Sequence, residues 1–115
     1  MGTNYYADFI TERRDIYGKT YHTRDEAHIG KSSAGWRFSW QGYEEHPDFG
    51  TITTVTAWRE LLKKAERIYD EYNRPIGLDA FLVEALDTRG KAHAHLYPDG
   101  NWMDGMYSFS GGEFS

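Results

Sequence analysis

The stretch EAHIGKSSAGWRFSWQGY, Glu26–Tyr43, contains the densest run of aromatic residues in the chain. Its second half, Gly35–Tyr43, places Trp36, Phe38 and Trp40 at every second position, with polar residues between them. Strict alternation puts all three rings on one face of a β-strand, where they could bury on the order of 450–750 Å². We therefore predict that this segment is the central strand of an antiparallel sheet, with the rings in its core.

Short segments before the aromatic strand are predicted from residue type. Aromatic and β-branched residues favour strands at Asn4–Ile10 and Ala27–Lys31, and a weaker extended segment at Thr20–Arg24. Mixed charges without a period, together with a glycine, predict a turn or irregular loop at Thr11–Lys19. The small residues Ser32–Gly35 suit a tight hairpin turn that leads into the aromatic strand.

The clearest helix follows a predicted loop at Tyr43–Ile52, which contains proline and glycine. Thr54 can cap this helix, whose apolar stripe consists of Val55, Trp58, Leu61, Leu62 and Ala65. The same stripe could continue to Tyr72. Alternatively, the helix ends near Glu66 and Arg67–Tyr72 is extended, which is the interpretation we favour.

A turn signal at Asn73-Arg74-Pro75 leads into a second, shorter helix at Gly77–Thr88. Extended runs at Lys91–Tyr97 and Asn101–Ser110 flank Pro98-Asp99-Gly100, a combination that predicts a hairpin. The order of elements predicts one α+β domain over residues 1–115. It consists of an antiparallel β-sheet of about five strands with two helices packed on it, in the order β-β-β-α-(β)-α-β-β.

Composition excludes several classes of function. The chain of 115 residues has no cysteine, which rules out disulfides, thiolate metal sites and a cysteine nucleophile. A net charge of −5 argues against direct DNA or RNA binding, which usually requires a basic surface. Apolar runs are too short to span a bilayer, and no signal-peptide pattern is present, so we expect a cytoplasmic protein.

Five motifs are spread along the chain: MGTNYY, HIGKSSAGWRFSW, TVTAWRELL, YDEYNRPIGLDAF and the C-terminal FSGGEFS. Together they resemble a group of small phage-encoded accessory proteins of unassigned function. The resemblance spans most of the chain, and HIGKSSAGW is its most specific part. It implies a viral accessory protein of the host cytoplasm, of a kind that commonly binds host factors or blunts host defences. Many members have a cysteine-bearing, zinc-knuckle-like segment. Asp8–Thr23 stands in that place without cysteine, so the resemblance implies no metal there.

A candidate anion site lies at the turn before the aromatic strand. Gly30-Lys31-Ser32 is similar to the end of a P-loop, but Asp25 occupies the required glycine position and no helix follows. A simpler site remains, in which an ammonium, two hydroxyls, a guanidinium and a ring hold one anionic ligand. Its residues are Lys31, Ser32, Ser33, Arg37 and Trp36. The plainer interpretation is a polar hairpin turn with a solvated lysine.

Two further groups of residues could serve a function. His93 and His95 are two apart in a predicted strand and, with His28, could begin a metal site; the alternative is an outer face that simply meets solvent. Trp102, Met103, Met106 and Tyr107 are either core residues or an exposed interface patch.

The leading hypothesis is a binding protein rather than an enzyme, with no cofactor. Its partner would be a host defence protein or an anionic, nucleotide-type signalling ligand, because no complete catalytic motif is present and donors lie beside aromatic residues. One alternative is a small metal-dependent enzyme that acts on nucleotides or nucleic acid through His93, His95 and His28. Another is a homo-oligomer joined through a sheet edge or the Trp102–Tyr107 segment.

Overall fold

The computed structural model describes residues 2–91 and 101–111 of the chain. Its strands are β1 (Gly2–Arg14), β2 (Thr20–Ser33), β3 (Ser39–Gln41), β4 (Tyr43–His46), β5 (Gly50–Ile52), β6 (Arg67–Asp70), β7 (Pro75–Ile76), β8 (Asn101–Asp104) and β9 (Tyr107–Ser110). Its helices are α1 (Val55–Leu62) and α2 (Leu78–Leu86). In this part of the chain, seven strands form one sheet in the order β7-β6-β1-β2-β3-β9-β8, and β4 and β5 form a separate hairpin. The predicted α+β class is confirmed.

The long hairpin of β1 and β2 is the largest element of the sheet, and every residue of β1 has an antiparallel partner in β2. Tyr5, Ala7 and Phe9 alternate along β1 and are buried. Tyr5 pairs with Gly30 and Tyr6 pairs with His28, so that β2 contains one extra residue, a β-bulge, at Ile29. Alternation therefore divides β1 into a core face and an opposite face.

Part of this hairpin projects beyond the rest of the sheet. β6 pairs with β1 only between Tyr5 and Asp8, and β3 pairs with β2 only at Gly30 and Lys31. Residues 9–25 therefore form a two-stranded arm, which we call the arm. Its six-residue first strand spans about 20 Å at the usual rise per residue. The described structure measures 55 × 30 × 24 Å.

The predicted loop at Thr11–Lys19 is wrong over its first four residues, which continue β1. Side chains that pair across the arm explain the difference. Thr11 Oγ1 donates to Asp25 Oδ2 (2.8 Å), and Arg13 Nε donates to Thr23 Oγ1 (2.9 Å). The turn is confined to 15–19, where the Asp15 carboxylate accepts from the backbone N–H groups of residues 17 and 19. The weakly extended Thr20–Arg24 is likewise part of a strand.

The aromatic stretch is a shorter strand than predicted. Phe38 and Trp40 are buried as expected, but Trp36 is 49% exposed. The reason is a turn at residues 34–35, where Gly35 has a φ of +80° and the Trp36 N–H donates to Ser33 O (3.1 Å). Trp36 therefore belongs to the turn, and the strand proper begins at Ser39. β3 lies inside the sheet, but it pairs with β9 in parallel.

Both helices pack on the core face of the sheet, around one cluster of buried side chains. Thr54 caps α1, because its hydroxyl accepts from Ala57 N–H (3.1 Å), as predicted. The buried Trp58 donates its indole N–H to Gln41 O (2.8 Å) and so ties α1 to the end of β3. From α2, Phe81 makes edge-to-face contacts with Phe38 and Trp40. Helices, the β4–β5 hairpin and sheet thus share a single core.

Other predicted elements have mixed outcomes. The favoured extended segment after α1 is confirmed as β6, and the second helix as α2. The predicted turn at Ser32–Gly35 is shorter, because both serines belong to β2. The predicted loop at Tyr43–Ile52 is instead a hairpin. Asn101–Ser110 is two strands, which fold back at a turn that includes Gly105 (φ +60°). Most of the predicted strand Lys91–Tyr97 and all of Pro98-Asp99-Gly100 lie outside the described residues.

Gly30 is a specific test of this packing, because a Cβ built on it would lie 2.2 Å from Ser39 O and 2.5 Å from a Phe38 ring carbon. We expect Gly30→Ala to lower the free energy of unfolding by about 1–3 kcal/mol, the usual cost of overpacking. Thr20→Ala, at an exposed position on the same strand, should change it by less than about 0.5 kcal/mol. Urea denaturation measures both, and equal effects would contradict the close approach of β3 to β2.

Candidate functional site: the open face of the sheet

The face of the sheet opposite the helices is the candidate site. Strand alternation and cross-strand register place six side chains together on it, next to the base of the arm. We call this surface the open face: Tyr6, Asp8, Glu26, His28, Arg67 and Tyr69. Within residues 2–91 and 101–111, the helices and the β4–β5 hairpin pack on the other side of the sheet, and no helix or strand lies over these six.

One row of the open face consists of three rings, one from each of three adjacent strands. Tyr69 of β6 stacks on Tyr6 of β1, with ring centroids 5.8 Å apart and an interplanar angle of 25°. Tyr6 stacks in turn on His28 of β2, at 5.0 Å and 28°. The His28 Nε2 also donates to Asn4 Oδ1 (2.9 Å), which fixes the orientation of the imidazole. Stacking and hydrogen bonding thus hold this row of rings in one arrangement.

The second row is charged and is centred on the buried Asp8 of β1. Arg67 Nε lies 3.3 Å from Asp8 Oδ2, and Arg24 Nη1 lies 3.8 Å from the same oxygen. The Tyr69 hydroxyl donates to Asp8 Oδ1 (2.9 Å) and also contacts Glu26 Oε2. The guanidinium of Arg67 lies 4.0 Å from the centre of the Tyr69 ring. Asp8 is therefore buried as a paired and hydrogen-bonded charge, the condition under which burial is tolerated.

The same arrangement raises the pKa of the phenols on this face. Burial is the main reason that the pKa of Tyr69 lies well above its ordinary value of 10, and its hydrogen bonds with Glu26 and Asp8 raise it further. Burial and the charges of Glu26 and Glu71 raise the pKa of Tyr6. Both phenols therefore stay neutral at physiological pH and act as hydrogen-bond donors.

Chemically, this face offers neutral donors, stacked rings and paired charges of both signs. Asp8 and Arg67 already form an ion pair with each other, so the charged row is a network of side chains that contact one another within the sheet. Ile10, the next residue on this face of β1, is 46% exposed and extends the open face toward the arm. Met103 is 52% exposed, but β3 and β9 separate its strand, β8, from β2. Tyrosine and arginine are enriched at protein interfaces, whereas aspartate and glutamate, which this face also contains, are depleted there.

The structure separates the residues predicted to hold an anion. Lys31 and Ser33 share a face, because a Cβ on Gly2 would lie 2.5 Å from Lys31 Cε and 2.7 Å from Ser33 Oγ. Ser32 alternates to the other face of β2. Arg37 Nη1 lies 3.5 Å from Met106 O, beside the β8–β9 turn. Trp36 follows the turn at residues 34–35. Lys31 and Ser33 are the pair that lies close together, next to Gly2.

The predicted interface patch divides in two. Trp102 packs against the core and lies so close to Gly42 that a Cβ there would be 2.7 Å from the indole ring. Tyr107 is partly buried and donates its hydroxyl to Leu86 O (2.9 Å). Met103 and Met106 are exposed.

Of the three candidate metal ligands, His93 and His95 lie outside the described residues, while His28 belongs to the ring row. Among the residues that the structure does describe, no group of three or more His, Cys, Asp or Glu could hold a metal ion.

The sequence contained part of the signal for the open face. Asn4, Tyr6 and Asp8 alternate with buried residues in β1, and Arg67 and Tyr69 alternate in β6. What the residues did not reveal is that β6 pairs with β1 rather than with another strand. Register, and not residue type, brings Tyr69 beside Tyr6 and Arg67 beside Asp8.

Comparisons with protein-family models, with curated proteins and with solved structures find no match to this chain. Neither α1 nor α2 is long enough to cross a lipid bilayer, and the described part of the chain contains no other helix that could.

The raised phenol pKa values predict a loss of stability at alkaline pH. Burial raises the pKa of Tyr5 to about 12, and that of Tyr43 is raised for the same reason. Together with Tyr6 and Tyr69, these phenols keep their protons in the folded chain at pH values where the unfolded chain, with a pKa of about 10, loses them. Stability should therefore be fully present below pH ~10 and fall as the pH rises above it.

Ultraviolet absorbance of tyrosinate during a pH titration measures this directly. We expect part of the tyrosine signal to appear only above pH ~10.5, together with unfolding seen by circular dichroism. Tyr69→Phe should remove one late-titrating phenol. Titration of all nine tyrosines as a single class near their ordinary pKa would contradict the burial described here.

Proposed function

We propose that the protein acts by binding a folded host protein on its open face, as a viral accessory protein that blunts a host defence in the host cytoplasm. The observation that supports this most is the ordered set of stacked rings and paired charges beside the arm. Tyr6, Glu26, His28 and Arg67 are its accessible side chains, while Asp8 and Tyr69 are buried. A sheet face with no described element packed on it is a surface on which a partner can dock without displacing part of the chain.

The order of the open face favours a partner that is itself folded. His28 is held by Asn4 and by stacking, and Arg67 is held by Asp8 and the Tyr69 ring. Because these side chains are already fixed, little conformational entropy is lost on binding. A flat and preorganised surface suits a rigid partner surface of matching shape.

Charge favours protein over nucleic acid. Asp8 and Glu26 lie among Arg24 and Arg67 on this face, and the chain as a whole has a charge of −5. A nucleic-acid surface would instead present unpaired cations toward phosphates. The resemblance to phage accessory proteins supports a host protein as the partner.

Capture from an extract of host cells tests the proposal. Ile10→Ser removes the exposed apolar side chain next to the open face on β1, and Val83→Ser is the control, since Val83 is exposed on α2, on the opposite side. We expect one protein in near-stoichiometric amount with wild type and Val83→Ser, and at least tenfold less with Ile10→Ser. Equal capture by all three forms, or no capture by any, would contradict the proposal.

An anionic, nucleotide-type ligand is the second candidate, and the observation for it is that Lys31 and Ser33 meet above Gly2. A ligand at 100 times its Kd should stabilise the fold by about 2.7 kcal/mol. Thermal denaturation with cyclic and linear nucleotides should therefore show a shift that Lys31→Ala removes and that Lys64→Ala, at an exposed position after α1, retains. No shift with any nucleotide would end this candidate.

A further inference from the structure

The outer edge of β1 in the arm has no neighbouring strand among the described residues. What we infer from this edge does not depend on the proposed function. β6 covers the outer edge of β1 only as far as Asp8. Beyond that point, no strand in residues 2–91 or 101–111 pairs with the edge of residues 9–14. A free strand edge presents unpaired N–H and C=O groups, which favour pairing with another strand.

The backbone direction of this edge follows from its neighbour. Glu71 N donates to Asn4 O (2.9 Å) and Glu66 N donates to Asp8 O (2.7 Å), so the even-numbered residues of β1 direct their backbone groups away from β2. In an antiparallel ladder, this pattern repeats at every second residue. The N–H and C=O groups of Ile10, Glu12 and Arg14 therefore point toward the free edge.

The arm also exposes an apolar tip. Ile16 and Tyr17 are 91% and 83% exposed at the turn between β1 and β2. The arm that presents them is braced, because Arg13 Nη2 lies 3.4 Å from Asp25 Oδ2 and 3.1 Å from Asp48 Oδ1 in the β4–β5 turn. Phe9 also packs on Phe49 of that turn, with ring centroids 5.1 Å apart. Two large apolar side chains thus stand at the end of an arm whose residues Phe9 and Arg13 contact the β4–β5 turn.

A cleft with both apolar and charged walls lies at the base of the same edge. It has a volume of about 300 Å³ and lies between the end of α1 and the start of β6, with Leu62, Ala65, Ile68, Ile76 and Leu78 among its lining residues. Glu66 and Arg67 also line it, and Arg67 is opposite Asp8 in the sheet. The cleft therefore begins where the free edge begins.

We propose that two copies of this chain form a two-fold symmetric dimer, in which the free edges of β1 pair antiparallel and each arm tip enters the cleft of the other copy. Pairing centred on Glu12 places Ile10 opposite the partner's Arg14, so that the outward-directed backbone groups of Ile10, Glu12 and Arg14 are all paired. In this register the other copy's turn comes level with Asp8, next to the cleft. Edge, tip and cleft are thus self-complementary, as a two-fold interface requires.

At the centre of this register, Glu12 lies directly opposite the partner's Glu12. Like charges directly opposite in a sheet are destabilising, although the partner's Arg14 is a diagonal neighbour. Position 12 therefore separates the backbone contribution from the side-chain contribution. Proline there removes the N–H that points to the free edge, and glutamine keeps the N–H but removes the charge.

Sedimentation equilibrium over a concentration series tests the dimer with three variants. The wild-type chain should have the mass of two copies at high concentration and dissociate on dilution. Glu12→Pro should weaken association at least tenfold with unchanged circular dichroism, because edge strands tolerate proline where the N–H faces solvent. Glu12→Gln should tighten it about two- to fivefold. The double variant Ile16→Ser, Tyr17→Ser should also weaken it at least tenfold while it leaves the folded monomer intact, since both side chains are exposed.

A wild-type chain that stays monomeric to a concentration on the order of 1 mM would overturn the proposal, because affinities weaker than that do not define a specific dimer. If Glu12→Pro, or the double variant Ile16→Ser, Tyr17→Ser, associates as strongly as the wild-type chain, that result would also overturn the proposal. Weaker association by Glu12→Gln would overturn the register. These results do not depend on host-protein capture, so either proposal can fail without the other.

Discussion

The antiparallel pairing of β1 with β2 is the constraint on which the rest of the structure depends. It fixes which residues of β1 face the core, and the bulge at Ile29 keeps both Ala27 and Ile29 in that core while it shifts the register beyond them. Because side chains alternate with a period of two, a slip of one residue would exchange the buried and outward sets. The position of β3, β6 and both helices follows from this assignment.

Two features of the fold shape the surface: the unequal lengths of the strands and the placement of the helices on one face of the sheet. The short neighbours β3 and β6 leave most of residues 9–25 unpaired on their outer edges, which creates the arm. The helices and the β4–β5 hairpin collect on the core face, which leaves the opposite face to rings and charges. If the free edge of β1 in one copy pairs with the same edge in a second copy, as proposed, the two open faces lie side by side on one continuous sheet. A binding partner would then contact both open faces.

Local sequence was sufficient for features that depend on period and on capping. Thr54 and the stripe of Val55 and Trp58 identified α1. The same stripe could have continued to Tyr72, so the period alone did not decide between a longer helix and the extended segment that is β6. Local sequence was insufficient for Thr11–Arg14. The charged residues there favour a loop prediction, and only the fold shows that Asp25 and Thr23 pair with them across the arm. Local sequence also misplaced Trp36, because Gly35 turns the chain before the alternation begins. The open face needed the pairing of β6 with β1, which residue type alone does not specify.

The central claim is the register of β1 on β2 through the arm, and nuclear Overhauser effects between opposite Hα atoms measure it most directly. In the pairs that do not exchange hydrogen bonds, the Cα atoms are about 4.5 Å apart and the Hα atoms are closer still. The account predicts strong contacts between Ile10 and Arg24 and between Glu12 and His22. Contacts displaced by one residue, or none beyond Phe9, would contradict both the arm and the division of the sheet into two faces.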